Sequence, residues 1–378
     1  MFKILLTFIV TLSINLIFSF DINVRECKKL SDAMSYFVYQ SSDFPLIAHV
    51  IMMAMDNINI KLVPAIGQRE EVFSIAQRSG AFIAINGSNY RRGGRYNGNR
   101  LNLFYLNNQI YSDLQFIRGS FGWHSNKKVA IIDKMFLKVK FFIGNRVFSV
   151  DHINQPRAPG QSVMYTSTAD KSLLSHASGM NIIVDEQGMV EDITLEVPDT
   201  IKAFVYQVDQ DCSFEIYKGM QTQFSFEIKS VEKEAIYNDY DFILGGAGML
   251  LRDGELISNE LCHEFSQGAS VIHCHDEVAA DFHTKKMQEW LIENRHPRTA
   301  LGVTKKNEIC IVVVDGRQKE SEGLSLHELA FFMKKLGCFD ALNIGGGGCS
   351  TLCINQKVIN KPSAGEERPV SEALCFFE

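Results

Sequence analysis

Between Arg298 and the C-terminus, residue types and spacing suggest chemistry before any fold is considered. Asp315 follows the apolar run Ile311-Val312-Val313-Val314 and precedes Gly316-Arg317, so a buried strand would deliver a carboxylate and a guanidinium to its end. That carboxylate suits work as acid, base, nucleophile or metal ligand, or it holds an Asx-type turn with Gly316. Further on, Gly345-Gly346-Gly347-Gly348 lead into Ser350 and Thr351. Successive glycines cost backbone entropy and persist where side chains do not fit or φ is positive. Gly346, Gly347 and Gly348 can turn N–H groups toward one anion, with the two hydroxyls as further donors, or the run is a tight turn between strands. No Lys follows at P-loop spacing, and Ser350 stands where a dinucleotide fingerprint has its third glycine. Arg298, Arg317 and Arg368 lie in the same section, and a guanidinium grips phosphate or carboxylate through two parallel bonds. Glu367 is a second carboxylate candidate. Glycoside cleavage ordinarily uses two carboxylates, but a phosphate leaving group needs little protonation, so one would suffice.

Other chemistries fit less well. His273, Cys274, His275, Asp276 and His283 suggest a metal, yet a His-x-His with a distant third histidine matches no strict zinc spacing. Cys349 and Cys353 lack a second pair. The nine cysteines are scattered and odd in number, which argues against a dense disulfide framework. No G-x-S-x-G motif is present. His296, before Pro297-Arg298, reads as a site-lining acid or base. Neither a cofactor nor a resident metal is expected.

Three apolar strands must position these groups. Ala81–Ile85 ends at Asn86-Gly87, Ile309–Val314 at Asp315-Gly316-Arg317, and Phe339–Ile344 at the glycine run, which suggests one shared site. A helix is predicted over Glu70–Ser79, stopped by Gly80. Another follows the capping box Ser325-Leu326-His327-Glu328, with Leu329, Phe332, Met333 and Leu336 on one face. Lys305–Glu308 reads as a hairpin loop, Tyr90–Asn102 as a long polar loop, and Gly119–Glu234 as β-rich. The expected fold class is α+β: a mixed β-sheet core with flanking helices in a single large domain.

At the N-terminus, Lys3 and the apolar run Ile4–Phe18 have the form of a secretory signal, short for a membrane span. The expected organisation is a signal peptide over residues 1–20, an N-terminal extension over 21–44 and the domain over 45–378. This makes the protein secreted, periplasmic or attached to the cell envelope. An uncleaved N-terminal segment is the alternative, and the only membrane association expected. With 38 Lys+Arg against 44 Asp+Glu, the net charge of -6 gives no general reason to bind nucleic acid.

At these residues the chain resembles the phosphodiester glycosidase family. The matching text is Ala84-Ile85-Asn86-Gly87, Gly245-Gly246-Ala247-Gly248-Met249-Leu250-Leu251, Arg298-Thr299-Ala300-Leu301-Gly302, Val314-Asp315-Gly316-Arg317, Gly323-Leu324-Ser325-Leu326 with Glu328-Leu329-Ala330, Ala341-Leu342-Asn343 through Ser350-Thr351, Asn360-Lys361-Pro362 and Glu367-Arg368-Pro369-Val370. The resemblance implies an exported hydrolase that splits a sugar, of the N-acetylglucosamine kind, from a phosphodiester, in envelope or exopolysaccharide glycans. It implies a site of Asn86, Arg298, Asp315, Arg317, Asn343, Ser350, Thr351 and Arg368, with Asn86 orienting sugar hydroxyls and Asp315 activating water or attacking the anomeric carbon. Where the family reads Asn-Leu-Asp-Gly-Gly-Gly-Ser-Ser-Thr, this chain has Gly345 in place of the aspartate and Cys349 in place of a serine. The alternative implied by that loss is a phosphoglycan-binding envelope protein without hydrolysis.

Overall fold

The computed structural model describes residues 20–92, 96–113, 117–174, 179–209, 215–257 and 290–378. An eight-stranded sheet runs in the spatial order Ile22–Lys29, Met34–Ser41, Ile47–Ala54, Glu308–Val314, Arg298–Thr304, Cys338–Asn343, Met249–Arg252, Glu255–Leu256. Residues 21–44 thus contribute two of its strands. A seven-stranded sheet is organised around the long strand Val129–Ile143, and a five-stranded sheet around Phe204–Val208. The fourth sheet orders Lys357–Val358, Leu352–Ile354, Ile83–Asn86, Glu372–Phe377 and Asn59–Pro64.

This architecture corrects the α+β expectation: the protein is predominantly β, with several antiparallel sheets. Among the described strand pairs, only His152–Ile153 with Val163–Thr166 is parallel. Helices among the described residues are short, the main ones being Val72–Ser79 and Leu326–Lys335. The physical reason is cover. Each apolar sheet face must be buried against something, and here sheets largely bury one another. Ile83, Ile85, Leu374 and Phe376 of the fourth sheet share a core with Leu301, Ile311 and Val313 of the first and Phe104, Phe121 and Phe242 of the second. Alternating apolar text specifies a half-buried strand, not the surface that will cover it.

The two main helices follow local chemistry. Ser325 Oγ accepts from Glu328 N at 3.1 Å, and Glu328 Oε2 accepts from Ser325 N at 2.9 Å, closing the predicted capping box. Leu329, Phe332 and Met333 then pack on Ala300, Val312, Val314 and Ala341 of the first sheet. Gly80 ends the Val72–Ser79 helix at φ 71°, where a side chain would be strained. That helix covers the fourth sheet through Val72, Ile75 and Ala76, beside Ala84 and Ala373.

The glycine run is placed by this layout. The chain leaves the first sheet at Asn343, passes through Gly345–Gly348 and enters the fourth sheet at Leu352. Ser325→Ala should cost about 1 kcal/mol in denaturant unfolding while the circular dichroism of the strands is retained. An unchanged unfolding midpoint would show that packing alone holds this helix end.

Candidate functional site

The passage between the two sheets is stitched on both sides. Ile344 N donates to Thr299 O at 2.9 Å, Gly345 N to Gly87 O at 3.1 Å and Gly347 N to Pro297 O at 2.8 Å. Asn86, fully buried, lies beneath it. Its Nδ2 donates to Gly87 O and Gly345 O, each at 3.0 Å. Its Oδ1 accepts from Thr299 Oγ1 at 2.8 Å and Thr351 N at 3.2 Å. The same packing closes position 345: a Cβ there would lie 2.5 Å from Gly87 O and 3.0 Å from Asn86 Nδ2.

Two arginines lie against the bare glycines. The Arg368 guanidinium occupies the space where a Cβ on Gly348 would stand, and Arg317 Nη1 and Nη2 lie 3.5 Å from the Cβ position of Gly347. A side chain on Gly348 would push Arg368 away, whereas a Cβ on Gly347 would only touch Arg317. Gly347 also has φ 65°, and Arg317 itself adopts a left-handed φ of 58°, an uncommon conformation that costs energy in a non-glycine residue. Burial, then the neighbouring Arg368 and Arg92, lower the Arg317 pKa, so like charges converge here. Among the described residues, the amides of Gly346 and Gly348 have no acceptor. Asn343 Oδ1, Ser350 Oγ and Thr351 Oγ1 are buried without hydrogen-bond partners. Convergent cations, unused amides and the two unpaired hydroxyls are donors that suit an anion, whereas Asn343 Oδ1 can only accept.

The other candidates are engaged in different ways. Asp315 is 4% exposed; its Oδ1 accepts from Asn360 Nδ2 at 3.1 Å and Lys361 N at 3.0 Å. Its Oδ2 lies 3.6 Å from His49 Nε2, and His49 Nδ1 is 2.7 Å from the Tyr36 hydroxyl. Burial, with Glu26 and Asp315 nearby, pushes that phenol up to about 12. Asn360 Nδ2 also donates to Ser350 O at 3.0 Å, so one side chain links Asp315 to the end of the glycine passage. Asn343 Nδ2 donates to Ala247 O and Ile344 O, each at 3.0 Å. Glu367 accepts from Phe73 N at 3.1 Å at the start of the Val72–Ser79 helix, and burial raises its pKa. Arg298 is buried, donating to Leu324 O at 2.8 Å, Leu291 O at 2.7 Å and Asn294 O at 3.1 Å. Burial and Arg317 push its pKa down to about 9.

Thus Gly347 meets Arg317 and Gly348 meets Arg368, and Gly346, Asn86, Asn343, Ser350 and Thr351 lie within or beneath the same passage. Asp315 is joined through Asn360, whereas Arg298 and Glu367 bond to backbone elsewhere. His273, Cys274, His275, Asp276 and His283 lie outside the described residues, as do residues 1–19. Sequence reasoning missed Arg92, inside the stretch read as a polar loop, and Trp290, which carries no motif signal. Asn360 was visible only as part of an Asn-Lys-Pro match.

Two outcomes follow from this geometry. Gly345→Asp should destabilise the protein by about 1–3 kcal/mol in denaturant unfolding, because the new side chain meets backbone. An equally stable variant would contradict the packing at Gly87. His296 Nδ1 accepts from Arg317 Nη2 at 3.2 Å and its Nε2 donates to Trp290 O at 3.3 Å, the pattern of a neutral ring. Burial first, then Arg298 and Arg317, lowers its pKa from 6.5 to about 4. Its contribution is therefore fully present above the unfolded value of 6.5 and is lost as pH falls toward about 4. Thermal unfolding across that window should show the loss, and His296→Gln should flatten it.

A sequence model of the phosphodiester glycosidase family matches residues 160–377. The chain is similar to an uncharacterised SPbeta prophage-derived protein of Bacillus subtilis, 28% identical over 161 residues, covering 34% of this chain and 25% of that one. It is also similar to N-acetylglucosamine-1-phosphodiester alpha-N-acetylglucosaminidase of Bos taurus, 28% identical over 160 residues, covering 39% of this chain and 27% of that one. The matches thus span about a quarter of these relatives' length. In fold, the chain is similar to a hypothetical protein from Synechocystis (TM-score 0.74, 15% identity, 94% of this chain and 63% of that one). It is likewise similar to an inferred exported protein of Burkholderia pseudomallei (TM-score 0.72, 18% identity, 88% of this chain and 74% of that one). With more than half of its length matched by the family's own sequence pattern, this chain belongs to the phosphodiester glycosidase family.

Proposed function

We propose that this protein is an exported hydrolase that cleaves the bond between the anomeric carbon of an N-acetylglucosamine-like sugar and a phosphodiester, in envelope or exopolysaccharide glycans. The observation that carries the reading is the placement of Arg317 and Arg368 against the bare backbone of Gly347 and Gly348. Their charge and the amides of the passage hold the phosphate and stabilise negative charge as the leaving group departs. Asn86 acts by pinning the passage, since its amide is fully bonded, and Asn343, Ser350 and Thr351 form the polar bed below. Asp315 is the proposed acidic group, working on water or on the anomeric carbon once the Asn360–Lys361 turn yields. Arg298 and Glu367 support the site through the backbone they hold. Export rests on the leader-like residues 1–20; among the described residues no helix is long and apolar enough to cross a membrane.

A second reading is phosphoglycan binding without hydrolysis. It is favoured by the closed position at Gly345 and by the burial of Asp315. Purified protein incubated with a sugar-1-phosphodiester, with binding and reducing sugar both assayed, separates the two. Release with turnover supports the hydrolase, and binding without release supports the second reading. Replacing Arg317 or Arg368 by Ala should weaken binding about tenfold or more, as expected for loss of a charged hydrogen bond. Asp315→Asn, which preserves shape and can still accept from Asn360 and Lys361, should abolish release and keep the fold. Unchanged turnover would remove Asp315 from the chemistry.

A further inference from the structure

The chain has two tryptophans, and they sit in opposite environments. Trp123 is fully buried in the core, whereas Trp290 is 41% exposed. Exposure alone says little, but Trp290 is fixed by its neighbours. Its carbonyl accepts from His296 Nε2 at 3.3 Å, and the two ring centroids are 4.0 Å apart. Arg298, buried, ties down the same turn through Leu291 O at 2.7 Å and Asn294 O at 3.1 Å. Arg317 then connects the indole to the glycine passage: its Cζ lies 5.7 Å from the Trp290 ring centroid, its Nη2 contacts His296, and its other side borders Gly347.

We infer that Trp290 is the sugar-binding platform of this site, stacking on the apolar C–H face of a pyranose whose 1-phosphate is held by Arg317 and Arg368. The inference rests on the phosphate reading given above. A pyranose presents hydroxyls at its rim and C–H groups on its faces, and an indole face matches the latter without using hydrogen bonds. Trp290 therefore confers preference for a glycosyl phosphodiester over one that carries no sugar. Arg298 becomes a positioning residue, orienting the platform through the Leu291–Asn294 turn rather than touching the anion.

The test uses two probes with the full chain: dimethyl phosphate, which is a phosphodiester without a sugar, and methyl N-acetylglucosamine-1-phosphate. Trp290→Ala should weaken the glycosyl probe about fivefold to tenfold more than it weakens dimethyl phosphate, with Trp290→Phe in between. In the wild type, tryptophan emission should shift more with the glycosyl probe than with dimethyl phosphate; Trp290→Phe should abolish both shifts. Equal weakening of both probes would overturn the inference, because Trp290 would then act through Arg317. Unchanged affinity for the glycosyl probe would also overturn it. If the wild type bound neither probe, the phosphate cradle itself would fall, a result distinct from loss of sugar preference alone.

Discussion

One buried carboxamide joins the parts on which everything else depends. Asn86 donates to the carbonyls of Gly87 and Gly345 and accepts from Thr299 and Thr351, so it bonds to a strand of the first sheet and to both ends of the glycine passage. Each such bond adds only about 0.5–1.5 kcal/mol net, but losing the amide would leave buried partners unmet at a greater cost. The bonds also require the backbones to approach closely, which explains the missing side chain at position 345. A bare Gly87 meets the same demand on the other side, where Glu372 packs against it and accepts from Ser88 N at 2.9 Å and Arg100 Nε at 2.7 Å.

On this frame the site stores electrostatic and conformational cost. Arg317 stands in a left-handed conformation with Arg368 and Arg92 close enough to disfavour its charge. On the proposed reading, an anion at this passage would relieve that repulsion. His296 fits the same logic: burial first, and then Arg298 and Arg317, disfavours a charged imidazole, and the ring serves as an acceptor for Arg317.

Asp315 illustrates how a residue at the right place in the chain can face an unexpected direction. Its backbone position at the end of the Glu308–Val314 strand is where the apolar run puts it, beside the passage. Its carboxylate, however, turns toward Asn360, Lys361 and His49. The group that touches the glycine passage is Asn360, which binds Ser350 O. Direct contact with a substrate would require this turn to open, and the burial of the acid keeps bulk water from it in the closed form.

The sequence by itself determined the local elements and the inventory of chemical groups. The Ser325 capping box, the Gly80 helix stop and the Glu308–Val314 and Cys338–Asn343 strands follow from short-range sterics and hydrogen bonding, which neighbouring residues settle among themselves. The coincidence of three strand ends was likewise legible, because apolar runs stopping at glycine are a local signal. Tertiary structure alone decided that sheets rather than helices cover one another, that Arg298 and Glu367 serve backbone, and that Arg92 and Trp290 lie near Arg317. The reason is that cover, desolvation and the direction of a long side chain depend on segments far apart in the chain. Arg298 and Arg317 look equivalent as letters; only the packing around each guanidinium fixes whether its donors meet backbone carbonyls or the His296 ring.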